Sequence, residues 1–222
     1  MAFRRHLVER VAHACSLTAE SRVLSIGCGL GDTELLLAPR VGHVTGIDIA
    51  SAGIAEARAS ASRAGIANVR FDVALLEDLP VSPAFDAILA VFFLHHLPDD
   101  ALAATPARLS RLLKPGGRVY AIDPSVNRLS GKVGRLIFPR LMARYQTEDE
   151  RELSLPRVAT LFEHDGFSVA GGYYDFLSTP LAGLLPGWAL GYHAARLADN
   201  LLVRAPGLRR WGSNFELIAS LP

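Results

Sequence analysis

Short apolar runs punctuate this chain, separated by longer stretches in which small, apolar and charged residues mix. Runs at 22–26, 44–48, 69–73, 85–91 and 118–123 are rich in Val and Ile, which predicts strands. The intervening stretches predict helices. Residues 50–64 alternate small and polar residues with Gly53 as the one breaker. Residues 99–113 open on Asp99 and Asp100, which suit a helix N-terminus, and stop at Lys114-Pro115-Gly116-Gly117. A further helix is expected at 3–14, and another at 156–164 before a final pair of apolar runs at 167–174 and 214–219. Strand–helix–strand repeats imply parallel pairing, so the expected class is α/β with a doubly wound, mostly parallel sheet.

Length and charge narrow the picture. With 222 residues, half of them hydrophobic, the chain suffices for one domain, 1–222, with a sizeable core. Lys+Arg of 23 against Asp+Glu of 22 leaves no bulk charge to attract a polyanion, so nucleic acid is not an expected partner. The first residues are not followed by the apolar core and cleavage site of a secretory signal. With only Cys15 and Cys28 present, a reducing cytoplasm is the expected location. Residues 176–195 complicate this, because they carry no Asp, Glu, Lys or Arg and are long enough to span a bilayer. Pro180, Pro186, Gly183, Gly187 and Gly191 would break such a helix repeatedly. The better expectation is an apolar cover over a substrate pocket, extending across 176–203, or a patch in peripheral contact with a membrane surface.

Candidate chemistry begins at the end of the first strand. Val23-Leu24-Ser25-Ile26 runs into Gly27-Cys28-Gly29-Leu30-Gly31, and seventeen positions past Gly31 the second strand closes on Asp48. Glycine lets a turn press its amides against a ligand, and a carboxylate closing the neighbouring strand can accept from both hydroxyls of a ribose. Asp48 could instead merely cap the following helix. The glycine spacing does not fit a dinucleotide fingerprint, which would need glycine at Asp32 or Glu34. Those two anions would also repel a pyrophosphate. A ligand with a ribose and no phosphates remains, and S-adenosylmethionine fits that description.

Gly27-Cys28-Gly29-Leu30-Gly31, Gly46-Ile47-Asp48-Ile49, Glu77-Asp78-Leu79-Pro80, Phe85-Asp86, Leu94-His95-His96-Leu97-Pro98-Asp99 and Leu112-Leu113-Lys114-Pro115-Gly116-Gly117 resemble, in order and across about half the chain, the motifs of class I S-adenosylmethionine-dependent methyltransferases. The resemblance implies a seven-stranded Rossmann-like sheet with an antiparallel edge strand from the terminal pair, under a helical cover. It implies S-adenosylmethionine as cofactor, S-adenosylhomocysteine as product, and methyl transfer to a small-molecule acceptor. The cofactor site would draw on Ser25, Gly27, Cys28, Gly29, Asp48, Ile49, Leu75, Leu76 and Val91, with Phe92 and Phe93 beside the donor.

Two departures from the family pattern bear on that site. Ser25 stands where the first strand usually carries an acid, so its hydroxyl is expected to meet the methionine amino group without charge complement. Ala74-Leu75-Leu76 replaces the usual acid after the third strand, leaving adenine to pack on Leu75 or Leu76. His95 and His96 follow the fourth strand, where either imidazole could take a proton from an acceptor, or simply pack. They lack the neighbours of a metal cage, and no metal is expected. Cys28 has no evident base beside it. Residues 124–146 form a basic amphipathic stretch, read either as a substrate-side lid for an anionic or lipid-like acceptor or as a solvated surface helix. Two other readings stay open: a noncatalytic cofactor-binding partner protein, and a nicotinamide-dependent dehydrogenase.

Overall fold

The computed structural model describes residues 2–132, 153–185 and 187–222. An N-terminal helix, α1 (Ala2–Ala14), leads into β1 (Arg22–Ile26), α2 (Asp32–Leu37), β2 (His43–Asp48), α3 (Ser51–Ala64), β3 (Val69–Val73), β4 (Phe85–Val91), α4 (Asp99–Ser110) and β5 (Leu113–Pro124). Then follow α5 (Leu155–His164), β6 (Ser168–Asp175), α6 (Ser178–Leu184), α7 (Ala189–Leu202) and β7 (Asn214–Ser220).

The strands form one seven-stranded sheet in the order β3-β2-β1-β4-β5-β7-β6. Pairing is parallel from β3 to β5, while β7 runs antiparallel to both of its neighbours. The reversed strand therefore sits one place in from the edge, and β6, outermost, points the same way as β5. That orientation brings the end of β6 to the same side of the sheet as the ends of β1, β2 and β4.

Side-chain alternation builds a core on each face. Ala87, Leu89 and Val91 of β4 join Leu7, Val8 and Val11 of α1 on one face. Ile88 and Ala90 join Leu102 and Leu109 of α4 and Val158 and Phe162 of α5 on the other. A smaller cluster seats Ile54, Ala57 and Ala61 of α3 on Phe71. Gly65, at φ +64, ends α3 and donates to the carbonyls of Ala61 and Ser62.

The helix expected at 99–113 stops three residues early, and β5 begins sooner than expected. The Leu112 carbonyl accepts from the amides of Ala84 and Phe85, and Leu113 pairs with Phe85. Pairing then resumes at Ala87–Arg118, so residues 114–117 bulge out through Gly116 at φ +74. The apolar stretch 176–195 is divided between α6 and α7. Among the described residues no helix is long and apolar enough to cross a membrane. Most of the basic stretch expected as a lid, 124–146, lies outside the described residues.

Candidate functional site

At the end of β1 the backbone passes through Gly27, Gly29 and Gly31 at φ +68, +54 and +75. A residue with a side chain would cost about 1–2 kcal/mol at each. The three serve different ends. A Cβ on Gly27 would run into the ring of Phe93, and one on Gly31 would meet Phe71 and Ala57. A Cβ on Gly29 would meet nothing within 4 Å. Gly29 is thus the point where the turn can be approached from outside.

Asp48 ties this turn to β2. Its Oδ2 accepts from the Gly29 amide at 2.8 Å and its Oδ1 from the Ala50 amide at 2.8 Å, so the carboxylate holds the glycine turn and the short loop that leads into α3, while α3 itself has no side-chain cap. A carboxylate has about four lone-pair sites, so capacity for two hydroxyls remains. Beyond it, Ile49 is 69 % exposed and Leu75 51 % exposed, an apolar pair beside a polar clamp. Leu76, the other residue expected to meet a base, is buried in the core. Any apolar packing here falls to Ile49 and Leu75.

Ser25 is sequestered. Its hydroxyl, expected to meet a ligand's amino group, is buried and donates to Glu34 Oε1 at 2.6 Å. The acid absent from β1 is thereby present beneath the turn, supplied by α2. Glu34 is 2 % exposed, its Oε2 lacks a partner among the described residues, and burial pushes its carboxyl well above the ordinary range. Sequence reasoning missed this role by treating Glu34 only as an obstacle to phosphates. The available signal was its place in the first turn of the helix leaving β1.

Cys28 contributes backbone rather than thiol. Its amide donates to Ile47 and its carbonyl accepts from Gly31, while the side chain packs with Phe71 and against Gly46. Burial raises the thiol far above its usual value, so it stays protonated and unsuited to nucleophilic attack.

At the end of β4, Val91 is buried on the α1 face. Phe92 adopts φ +55, and Phe93 lies over Gly27. A left-handed aromatic residue stores about 1–2 kcal/mol of backbone strain, the kind retained at functional turns. His95 and His96 then separate in role although their rings lie 4.0 Å apart. His96 is exposed, whereas His95 is buried and its Nδ1 lies 2.6 Å from Oδ1 of the fully buried Asp123 on β5. The same oxygen accepts from the His95 amide at 3.2 Å. Asp123 was not anticipated, because the strand carrying it is separated from His95 by the whole of α4. Burial pushes its carboxyl upward, against the opposing pull of the His95 hydrogen bond. With Nδ1 holding the proton toward Asp123, Nε2 is left as the basic nitrogen.

A doubly wound sheet with this strand order, a left-handed glycine turn after its first strand and a carboxylate closing its second, defines a Rossmann-like nucleoside-binding protein. A methyltransferase-domain family model matches residues 23–117. The ubiquinone biosynthesis O-methyltransferase of Xylella fastidiosa is 42 % identical over 102 residues, which cover 45 % of this chain and 40 % of that one. An S-adenosyl-L-methionine-dependent Diels-Alderase of Talaromyces variabilis is 29 % identical over 222 residues, covering 93 % of this chain and 71 % of its own. The crystal structure of the YcgJ protein from Bacillus subtilis superposes with a TM-score of 0.66 at 22 % identity, covering 97 % and 98 % of the two chains. Over residues 23–117 the chain is similar to methyltransferase domains, and over nearly its whole length it shares the fold of the YcgJ protein. It spans less than half the length of the ubiquinone-pathway relative.

The site fits the family's cofactor. Gly29 is open to approach, the Asp48 carboxylate has lone pairs to spare for a ribose, and Ile49 and Leu75 offer apolar surface to a base.

Proposed function

We propose that this chain transfers a methyl group from S-adenosylmethionine to a small, apolar or lipid-like acceptor. The observation that carries the reading is the joint between Asp48 and Gly29, a polar clamp at the one open position of the glycine turn. When bound, S-adenosylmethionine supplies an electrophilic methyl group on a sulfonium. The residues suited to hold it are Gly27 and Gly29 through the backbone, Asp48 for the ribose, and Ile49 and Leu75 for the base.

The chain's own contribution is alignment and proton removal. Phe92 and Phe93 turn at the end of β4, between the glycine turn and α1, where acceptor and donor would be held together and water kept out. His95, oriented by Asp123, is the group suited to take a proton from a hydroxyl or amine acceptor. Leu184, Leu185, Trp188, Leu190, Leu197 and Leu201 are all exposed on or between α6 and α7, which supports an apolar acceptor and is compatible with docking at a lipid surface.

Calorimetric titration with S-adenosylmethionine and S-adenosylhomocysteine tests the reading. Saturable binding that is lost in Asp48→Ala, with donor consumed once an apolar acceptor is supplied, supports it. Binding without donor consumption by any acceptor favours a noncatalytic partner or a reaction such as that named for the Talaromyces relative. Saturable binding of reduced nicotinamide cofactor instead would replace it with a dehydrogenase.

A further inference from the structure

Helix α7 is turned inside out. Its buried positions are Gly191, Tyr192, Arg196 and Asp199, whereas Leu190, Leu197 and Leu201 are 75, 70 and 73 % exposed. With the exposed Ala194 these leucines are spaced four, three and four residues apart, which places them on one stripe of the helix. A helix at the surface of a globular domain normally points such a stripe at the core. Here the stripe points away from it.

The buried polar face fixes that orientation. Asp199 accepts from the amides of Phe176, Leu177 and Ser178 at 3.0, 2.9 and 2.9 Å, holding the chain where α6 begins. Arg196 donates through Nη1 to the Tyr174 carbonyl at 2.9 Å and stacks over the Tyr174 ring at 4.7 Å. Rotating α7 to bury its leucines would give up all of these contacts, so the apolar stripe is held outward.

The surface continues at both ends of the helix. Leu184, Leu185 and Trp188, all exposed, precede it, and Leu208 follows it among the exposed Arg204, Arg209 and Arg210. Lys132, over the Trp211 ring at 4.3 Å, adds to these cations. Between residues 176 and 212 the one acid is Asp199, and it is buried. The exposed surface of this segment therefore combines apolar side chains with positive charge and carries no negative charge. An anionic lipid surface complements that combination: acyl chains take the leucines and Trp188, and headgroup phosphates take the arginines. A second copy of this chain, meeting it with the same patch, would bring no carboxylate to those arginines.

We infer that the outer face of α7, with the turn before it and the arginines after it, docks on an anionic lipid bilayer with the helix axis in the plane of the surface. At 14 residues the helix is ~21 Å long, enough to lie along the interface. Position adds a consequence. α6 starts just beyond β6, on the side of the sheet where β1, β2 and β4 end, and Tyr192 on the inner face of α7 lies 6.4 Å from Phe3, itself 6.0 Å from Phe92. A docked bilayer thus sits on the same side of the molecule as the glycine turn, where it would supply a lipid-like acceptor. The docking surface stands on α7 and its flanks alone, and only that supply rests on the methyl-transfer reading.

Co-sedimentation of the full chain with phosphatidylcholine vesicles, with and without about one-third phosphatidylglycerol, tests the proposal. The expected result is saturable binding to the anionic vesicles, at least ~10-fold tighter than to the neutral ones and weakened by salt. Leu197→Ser combined with Leu201→Ser should weaken it by ~10-fold or more, while the melting temperature and the affinity for S-adenosylhomocysteine hold level, because both side chains are exposed. Arg209→Glu combined with Arg210→Glu should remove the preference for anionic vesicles. No binding to either vesicle, equal binding to both, or undiminished binding in the leucine double variant overturns the inference. So does a lipid-free dimer in analytical ultracentrifugation that the same leucine changes dissociate, since a second copy then owns the face. Calorimetry with S-adenosylhomocysteine separates the two readings. Cofactor binding without vesicle binding removes this inference alone, and vesicle binding without cofactor binding removes methyl transfer alone.

Discussion

Asp123 Oδ1 lies 2.6 Å from His95 Nδ1, joining the end of β5 to the turn after β4 through a buried pair. Two roles compete for this contact: orienting a general base, or pinning two strand ends. Asp123→Asn keeps the shape and a hydrogen bond but can present an amide N–H to Nδ1, which shifts the imidazole proton to Nε2 and removes the base. A catalytic role predicts a fall in kcat of ~10²-fold or more, with affinity for S-adenosylhomocysteine unchanged. An unchanged kcat with a lowered melting temperature assigns the pair to strand pinning.

Asp48→Asn separates a ligand clamp from a brace of the loop before α3. One of the two amides that Asp48 accepts, Gly29 or Ala50, would then face an NH₂ group and lose its partner. Stability should drop by about 1–2 kcal/mol, and S-adenosylhomocysteine affinity by ~10-fold or more, because the charged acceptor for the ribose is gone as well. Denaturant melts and calorimetry on the same preparation read the two effects. Lost stability with intact affinity would make Asp48 a structural brace only.

Gly29→Ala and Gly27→Ala should diverge although both sit at positive φ. At Gly29 the added methyl points into open space, so the cost to folding is the strain of about 1–2 kcal/mol while the ligand's approach is obstructed. At Gly27 the same methyl strikes the Phe93 ring and displaces the end of β4, adding overpacking to strain. Thermal melts should therefore rank Gly27→Ala below Gly29→Ala, with cofactor binding weakened in both. A Gly29→Ala protein that binds normally would move the ligand away from the turn.

Both thiols should be silent in the native protein. Burial pushes Cys15 up to about 12 and Cys28 higher still, so neither forms thiolate at pH 8. A thiol-reactive chromophore should label no cysteine on mixing and both after denaturation. Rapid native labelling at Cys28 would mean the glycine turn opens.

The strands were legible because each carries enough β-branched and aliphatic residues to announce itself, and the glycine turn because left-handed backbone demands glycine. What stayed hidden was contact across the fold. Ser25 read as a ligand group because nothing local showed that Glu34 folds back over it. Leu75 and Leu76 were interchangeable in sequence, since which of two adjacent leucines faces the core depends on the turn following β3. Asp123 became a partner of His95 only once β4 and β5 paired. The early end of α4 followed from a backbone pairing of Leu112 with Ala84 and Phe85 that helix signals do not encode.

Glu34 carries a pH signature. Buried under the turn, it binds its proton more tightly in the folded chain than the ordinary carboxyl near 4.5 does in the unfolded one. Below that ordinary value the group is protonated in both states, and its contribution to stability is fully present. As pH rises above 4.5 the unfolded chain gives up the proton first, so stability declines until the raised folded pKa is passed and then levels off. Asp123 and Asp175, also buried and raised, bend the wild-type profile in the same direction, so absolute melting curves would mix the three. Glu34→Gln isolates the term: it keeps the polar contact with Ser25, has no proton to lose, and leaves the other two acids in place. The melting temperature of Glu34→Gln minus that of wild type should therefore grow more positive between pH 4 and pH 8. A difference that is flat across this range would mean that Glu34 ionises as easily in the folded protein as outside it, and that water or a cation reaches the site beneath the glycine turn.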